Sequence, residues 1–298
     1  MQHIRAIKDK SVRHIMLGIS IFAVLFLVVI GLSLFLKALP IMKEKNLWTL
    51  LTSADWKPFK GDFGFLPYIM STLYVSSLAI LMALPLSLLT AIYLHSYASK
   101  TISRIFQPVI DLLSGIPPVI YGVWGSLTIV PLIANHIAPH FVEFSSGYTV
   151  FAGGIVLAVM ILPLLISILV EVFRSIPQEM VDASLQLGAT RWQTVKKVIL
   201  RKSFSGIIAA VVLSVSRAFG ETIAVLMVCG NITQMPHNLF DACYPLPALI
   251  ANNYGEMLSM PSYESALMLA AFLLFIIIVV FNALSRVILV QIEKRYSL

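Results

Sequence analysis

The sequence predicts an all-α polytopic membrane protein with six transmembrane helices. Three observations carry that prediction. Of 298 residues, 59% are hydrophobic and only 12% charged, whereas an ordinary soluble domain holds about half and about a quarter. Six stretches are apolar enough to cross a hydrocarbon core about 30 Å thick, which takes about 20 residues at about 1.5 Å rise each. Lysine and arginine gather mostly in alternate connections, the bias that orients helices in a bilayer.

The first stretch is Ile15–Leu39. It is too long for the apolar part of a signal peptide, and no small-residue cleavage site follows it, so it reads as a retained helix. The second is Tyr68–Tyr97, interrupted by Pro85; the third is Phe106–Ile133, broken by "GIPPV"; the fourth is Tyr148–Phe173, with Pro163 inside. Proline within a span is tolerated where neighbouring helices or water meet the freed carbonyls, so these three are expected inside the bundle. The fifth is Phe204–Gly230 and the sixth Ser265–Ile292. The expected organisation is a cytoplasmic arm (1–14), the first helix (15–39), a core of five helices (68–292) with a cytoplasmic connection at 174–203, and a cytoplasmic tail (293–298).

With six spans, one side collects Arg5, Lys8, Lys10 and Arg13, then Lys100 and Arg104, then Arg174, Arg191, Lys196, Lys197, Arg201 and Lys202, and finally Arg286, Lys294 and Arg295. The opposite connections His136–Gly147 and Asn231–Glu264 hold no lysine or arginine. The first outer loop is the exception, with Lys43, Lys45, Lys57 and Lys60 beside Glu44, Asp55 and Asp62. On this balance both termini are cytoplasmic, and the net charge of +7 reflects topology rather than nucleic-acid binding. No GxxxxGK[ST] phosphate loop occurs, so the chain has no such device for hydrolysing ATP. The two cysteines, Cys229 and Cys243, have no metal-ligand spacing and predict no disulfide framework.

The most informative stretch is "SVSRAFGETIAVLMV", which puts Arg217 and Glu221 inside an oily segment. One charge at a bilayer centre costs about 2.5–3.5 kcal/mol even on insertion scales. At i, i+4 on a helix the two share a face and reach each other. They read either as an ion pair that fixes packing or as the lining of a substrate path, where arginine offers a planar donor fork suited to phosphate oxygens. In "GIPPVIYG", Pro117 and Pro118 remove two backbone donors and bend the third helix, while Gly115 and Gly122 allow close backbone approach; the bend serves bundle packing or lines a path. Asp111 reads first as an interfacial acid paired with Arg104. His136 and His140 read as solvated loop residues, and no metal site is expected. Asp241 and Glu256 read as outer-loop acids, available to a protein on that side.

Between the fourth and fifth stretches, Pro177 suits a first helical turn, and "QEMVDASLQLGA" reads as a short amphipathic helix with Met180, Ala183, Leu185 and Leu187 among its apolar positions. Gly188 permits a turn, and Thr190 can cap the helix of "TRWQTVKKVIL". This is either a helix lying in the membrane interface with Trp192 as anchor, or a helix that docks in a groove of a cytoplasmic partner.

The segment "VDASLQLGATRWQTVKKVIL" resembles the EAA loop of ABC-importer permeases: Asp182, Ala183 and Ser184 occupy the EAA positions, Gly188 the glycine, and Val198 and Leu200 the apolar positions, with Arg201 where that family usually has proline. "SRAFGETIAVLMVCGN", "WKPFKGDFGFLPYIMSTLYVSSLAILMALPLSLLTAIYL", "DLLSGIPPVIYGVWG" and "LFDACYPLPALIANNYGE" together resemble the PstC family, one of the two permease subunits of bacterial phosphate importers, over about residues 20 to 292. The resemblance implies the type I ABC importer permease fold. It implies a permease for inorganic phosphate with no nucleotide site of its own, Arg217 and Glu221 on the substrate path, and the EAA loop as the coupling helix. The implied partners are a homologous second permease, a dimeric ATPase that binds ATP and magnesium, and a periplasmic phosphate-binding protein. A permease for another oxyanion or nutrient, and a membrane component of phosphate signalling, are the alternatives.

Overall fold

The computed structural model describes residues 2–255 and 260–296, with side chains described over 12–255 and 260–291. The side chains of Arg5, Lys8, Lys10, Lys294 and Arg295, and the whole of Glu256, lie outside the described residues. The helices are α1 (Gln2–Glu44), α2 (Leu47–Thr52), α3 (Leu66–Ser96), α4 (Lys100–Ser114), α5 (Pro118–His140), α6 (Val150–Arg174), α7 (Gln178–Gln186), α8 (Arg191–Lys202), α9 (Phe204–Phe219), α10 (Ile223–Val228), α11 (Leu246–Asn253) and α12 (Pro261–Tyr296). A two-stranded antiparallel ribbon, Trp56–Lys57 against Asp62–Phe63, lies between α2 and α3.

Among the described residues, five helices are individually long and apolar enough to cross a membrane: α1, α3, α5, α6 and α12. A sixth crossing exists only if α8 and α9, bent 67° apart at Ser203, count as one. The six-span architecture therefore contains a broken fifth element, and its course differs from the expected uninterrupted Phe204–Gly230. α9 stops at Phe219 and α10 restarts at Ile223. The third stretch also divides, into α4 and α5, at Gly115–Pro117. His136 and His140 belong to the last turns of α5 rather than to a loop.

Burial orders the helices by role. α6 is the most enclosed span and packs along α3. α1 is nearly bare, its large apolar side chains from Val12 to Leu32 exposed, as suits a helix surrounded by lipid. Its last third is tied to α12: Phe35 meets Phe272 at 5.5 Å between ring centroids, Ser265 Oγ accepts from the Ile41 N–H (3.1 Å) and donates to the Lys37 carbonyl (3.0 Å), and Lys37 pairs with Glu264 at 3.0 Å.

The ribbon caps one end of the bundle by placing Trp56 edge-on against Phe63, Phe65, Tyr68 and Tyr263. Two lysines of this outer loop are neutralised locally, Lys45 by Asp62 (2.7 Å) and Lys57 by Asp55 (2.9 Å). The 229–245 region is stitched to α3 where Ser71 and Thr72 hydroxyls accept from the Tyr244 and Leu246 N–H groups. Cys229 and Cys243 are both fully buried and joined through the backbone, Cys243 N–H donating to the Cys229 carbonyl at 2.8 Å. Asp241 accepts from the N–H groups of His237 and Asn238, so it organises its own loop.

Candidate functional site

The two broken helices meet. α10 packs on α5, and Gly122 makes the close approach possible: a Cβ there would lie 2.7 Å from Met227 Sδ and 3.1 Å from the Ala224 Cα. Gly115 has no such constraint, since its nearest neighbours are carbonyls 3.5 Å and more away. It acts as the C-cap of α4, its N–H reaching the Asp111 and Leu112 carbonyls. Pro117 has no N–H to return to the Leu113 carbonyl. The Leu113 carbonyl instead accepts from the Ile116 N–H at 3.3 Å and from the Tyr121 hydroxyl at 2.8 Å. Pro118 then opens α5 at its first position, where its missing N–H has no intrahelical partner to lose.

Arg217 sits in the last turn of α9, half-buried, and within electrostatic reach of Tyr121. Glu221 does not share a helix face with it. α9 ends before Glu221, and the carboxylate Oε1 accepts from the Ala224 N–H at 3.2 Å, closing the start of α10. Among the described residues Arg217 and Glu221 form no ion pair, and Arg217 donates no hydrogen bond. The expected i, i+4 pairing is therefore corrected. A carboxylate that satisfies an orphan helix N–H is stabilised in place, and that contact replaces the Arg217 contact. The break is completed by Thr222, whose hydroxyl donates to the Gly220 carbonyl at 3.1 Å. One residue before Arg217, Ser216 Oγ donates to Asn282 Oδ1 at 3.0 Å and ties α9 to α12.

The connection 174–203 folds as its residues foretell. Pro177 is the N-cap of α7, and Gly188 takes φ +82°, the left-handed region that favours glycine. Thr190 and Gln193 form a reciprocal capping box at the start of α8. α7 is fastened to α8 by Ser184, whose hydroxyl meets the buried Thr194 hydroxyl at 3.0 Å. Asp182 and Ala183 face outward, Asp182 accepting from Gln178 Nε2 at 3.2 Å. Met180, Leu185 and Leu187 are all exposed, Leu187 by 89%, so the apolar positions read in the sequence form an outer face. Asp111 accepts from Ser167 Oγ at 3.3 Å and forms no ion pair with Arg104.

Sequence reasoning missed Tyr121, Ser216, Asn282 and Thr194. Tyr121 had a signal, a hydroxyl four residues after a proline that takes an N–H donor from the turn before it. The other three needed a partner from a distant helix to be noticed.

A chain of membrane-crossing-length helices so broken, with an exposed turn-capped helix on one face, belongs to a defined class. Residues 83–298 match the family of binding-protein-dependent transport system inner membrane components, and the chain belongs to that family. It is 39% identical over 244 residues to the probable ABC transporter permease protein YqgH of Bacillus subtilis, covering 81% of this chain and 76% of that one. It is 34% identical to the phosphate transport system permease protein PstC of Pasteurella multocida over 83% of this chain and 81% of that one, and 31% identical to the PstC of Mesorhizobium japonicum over 98% and 96%. The fold is that of a chain in a bacterial alginate ABC transporter crystal structure, with a TM-score of 0.64 at 16% identity over 97% of this chain and 96% of that one. A chain of the inward-facing MetNI methionine ABC transporter matches with a TM-score of 0.58 at 17% identity, over 80% and 99%.

Proposed function

We propose that this chain is the PstC-type permease subunit of an ABC importer of inorganic phosphate. The observation that carries the reading is Arg217, a charged donor fork half-buried in an apolar bundle, beside a helix break, with no anion of the described residues to answer it. Intramembrane charge is retained where it meets a substrate or a partner, and a guanidinium suits phosphate oxygens. The relatives named as phosphate permeases support the same substrate.

In this reading phosphate meets Arg217 transiently at the junction of α9, α10 and α5. Glu221, anchored on α10, holds a negative charge near the path without quenching Arg217, so the anion binds without being trapped. The bends at Gly115–Pro117 and Gly220–Thr222 place irregular backbone on this path, which a bilayer tolerates where it faces protein or water rather than lipid. The connection 174–203 faces the cytoplasm, as do both termini. Asp182, Ala183, Ser184 and the turn at Gly188 present α7 to a cleft of a dimeric, PstB-like ATPase, which binds ATP and magnesium; this chain needs no cofactor of its own. A homologous PstA-like permease completes the pathway within the lipid, and a PstS-like periplasmic binding protein delivers phosphate to the outer loops.

The test is ATP-dependent uptake of radiolabelled phosphate in proteoliposomes holding the full complex and binding protein, with sulfate and molybdate as competitors. Losing one charge-assisted hydrogen bond is worth about 1.5–3 kcal/mol, so Arg217→Gln should lower uptake about 10- to 150-fold. Normal uptake by an assembled Arg217→Gln complex refutes the role of Arg217. Uptake of sulfate or molybdate in place of phosphate refutes the substrate.

A further inference from the structure

We propose that a second anion site, a cleft at the end of the bundle where α3 stops and α4 begins, binds a phosphate ester, and that its occupant is the headgroup of an anionic phospholipid. The cleft has a volume of about 410 Å³ and is lined by His95, Lys100, Ser103, Arg104, Gln107 and Arg174. No carboxylate lines it. The ion pairs among the described residues all lie elsewhere, at Lys37, Lys45 and Lys57, so Lys100, Arg104 and Arg174 stand there uncompensated. Arg174 is held by one neutral contact, its Nη2 donating to Gln107 Oε1 at 2.7 Å.

The construction of α4 says what the occupant is. Lys100, Ser103, Arg104 and Gln107 recur at three- and four-residue spacing and so form one stripe, which lines the cleft beside Arg174 of α6. Ile105, Phe106, Val109, Leu112 and Leu113 are exposed by 40–74% on the rest of the same helix. Charge lines the cleft while oil covers much of the rest of the exposed surface, an arrangement unsuited to a helix in water. Tyr93 and Tyr97 are exposed nearby at the end of α3, where aromatic residues mark headgroup depth. Three like charges gathered at that depth repel one another and call for an anion. Two of them are guanidinium forks matched to phosphate, and basic pockets between transmembrane helices on the cytoplasmic side are suited to acidic headgroups. Ser99 caps the first turn of α4, its hydroxyl accepting from the Ile102 N–H at 3.3 Å. A lipid seated here puts its phosphate between α4 and α6 and its chains along Phe106 and Val109. Arg217 plays no part in this site.

Native mass spectrometry of the delipidated complex, titrated with phosphatidylglycerol or phosphatidylcholine of matched chains, reads the site directly. Phosphatidylglycerol is expected to remain bound in preference to phosphatidylcholine. Arg104→Gln with Arg174→Gln should weaken it about 25-fold, on the order of fivefold for each cation removed. Arg217→Gln should leave it unchanged, and Arg104→Lys with Arg174→Lys should retain most of it, which separates lost charge from lost folding. A parallel arm adds inorganic phosphate in phosphatidylcholine: retention of phosphate that survives Arg217→Gln and vanishes with Arg104→Gln and Arg174→Gln assigns the cleft to a free phosphate species and overturns the lipid. Equal retention of both lipids, or retention of phosphatidylglycerol unaffected by removing the two arginines, overturns the site.

Discussion

Replacing Gly122 by alanine tests the junction of the two broken helices more directly than any charge substitution. The added Cβ would stand 2.7 Å from Met227 Sδ, 3.3 Å from Met227 Cβ and 3.1 Å from the Ala224 Cα, all inside the optimal carbon separation of about 3.5–4.0 Å. The thioether can swing aside, being unbranched and pliable. The Ala224 Cα is main chain and cannot, so α10 must back away from α5 by a few tenths of an ångström. Overpacking of this kind costs about 1–3 kcal/mol. The displaced residue, Ala224, is the one whose N–H holds the Glu221 carboxylate, so the strain passes straight to the proposed path. The expected result for Gly122→Ala is a lower thermal midpoint for the solubilised complex together with reduced phosphate uptake. Met227→Ala in the same chain should recover part of the loss, because it removes the shortest of the three contacts, the one to Sδ, and leaves those to the residue-227 Cβ and the Ala224 Cα. The coupling between the two substitutions should fall in the range of about 0.5–3 kcal/mol seen for residues in contact. An unchanged midpoint and unchanged uptake for Gly122→Ala, with no coupling to Met227→Ala, would show that α5 and α10 are not packed through Gly122.

Two further expectations concern the break and the coupling turn. Glu221→Gln keeps an oxygen for the Ala224 N–H but removes the charge, so assembly should persist while uptake changes; Glu221→Ala also loses the cap, at about 0.5–2 kcal/mol, and should lower the thermal midpoint where Glu221→Gln does not. Equal midpoints for the two variants would remove the capping role. Gly188→Ala forces a side chain into φ +82° at about 1–2 kcal/mol with open space around it. Its effect should therefore appear in the α7–α8 turn, as loss of permease-stimulated ATP hydrolysis with little change in the midpoint of the membrane-embedded body; ATP hydrolysis equal to wild type would refute the coupling assignment.

Much of the organisation was legible because it depends on local chemistry. Pro117 and Pro118 announce the α4–α5 break, since two missing N–H groups cannot be hidden inside one helix. Thr190 announces a helix start, and Gly188 announces the turn before it. These signals act between residues a few positions apart. Glu221 shows the limit of that reading. At i, i+4 from Arg217 it looks like an ion-pair partner, but a carboxylate can equally close the start of the next helix, and the choice depends on whether the helix continues. Asp111 is a similar case: Arg104 is its neighbour in sequence, yet Ser167 from α6 reaches it.

The sequence alone determined that this protein lives in a bilayer, which connections carry its positive charge, where proline and glycine interrupt its spans, and which family its motifs resemble. Those properties follow from composition, local backbone chemistry and spacing. Tertiary structure alone decided that α10 lies against α5 through Gly122, that the Tyr121 hydroxyl bonds the Leu113 carbonyl, that Arg217 is left without a carboxylate, and that Lys100, Arg104 and Arg174 converge on one cleft. Each depends on groups far apart in the chain being brought within a few ångströms, and packing sets that distance where sequence spacing cannot.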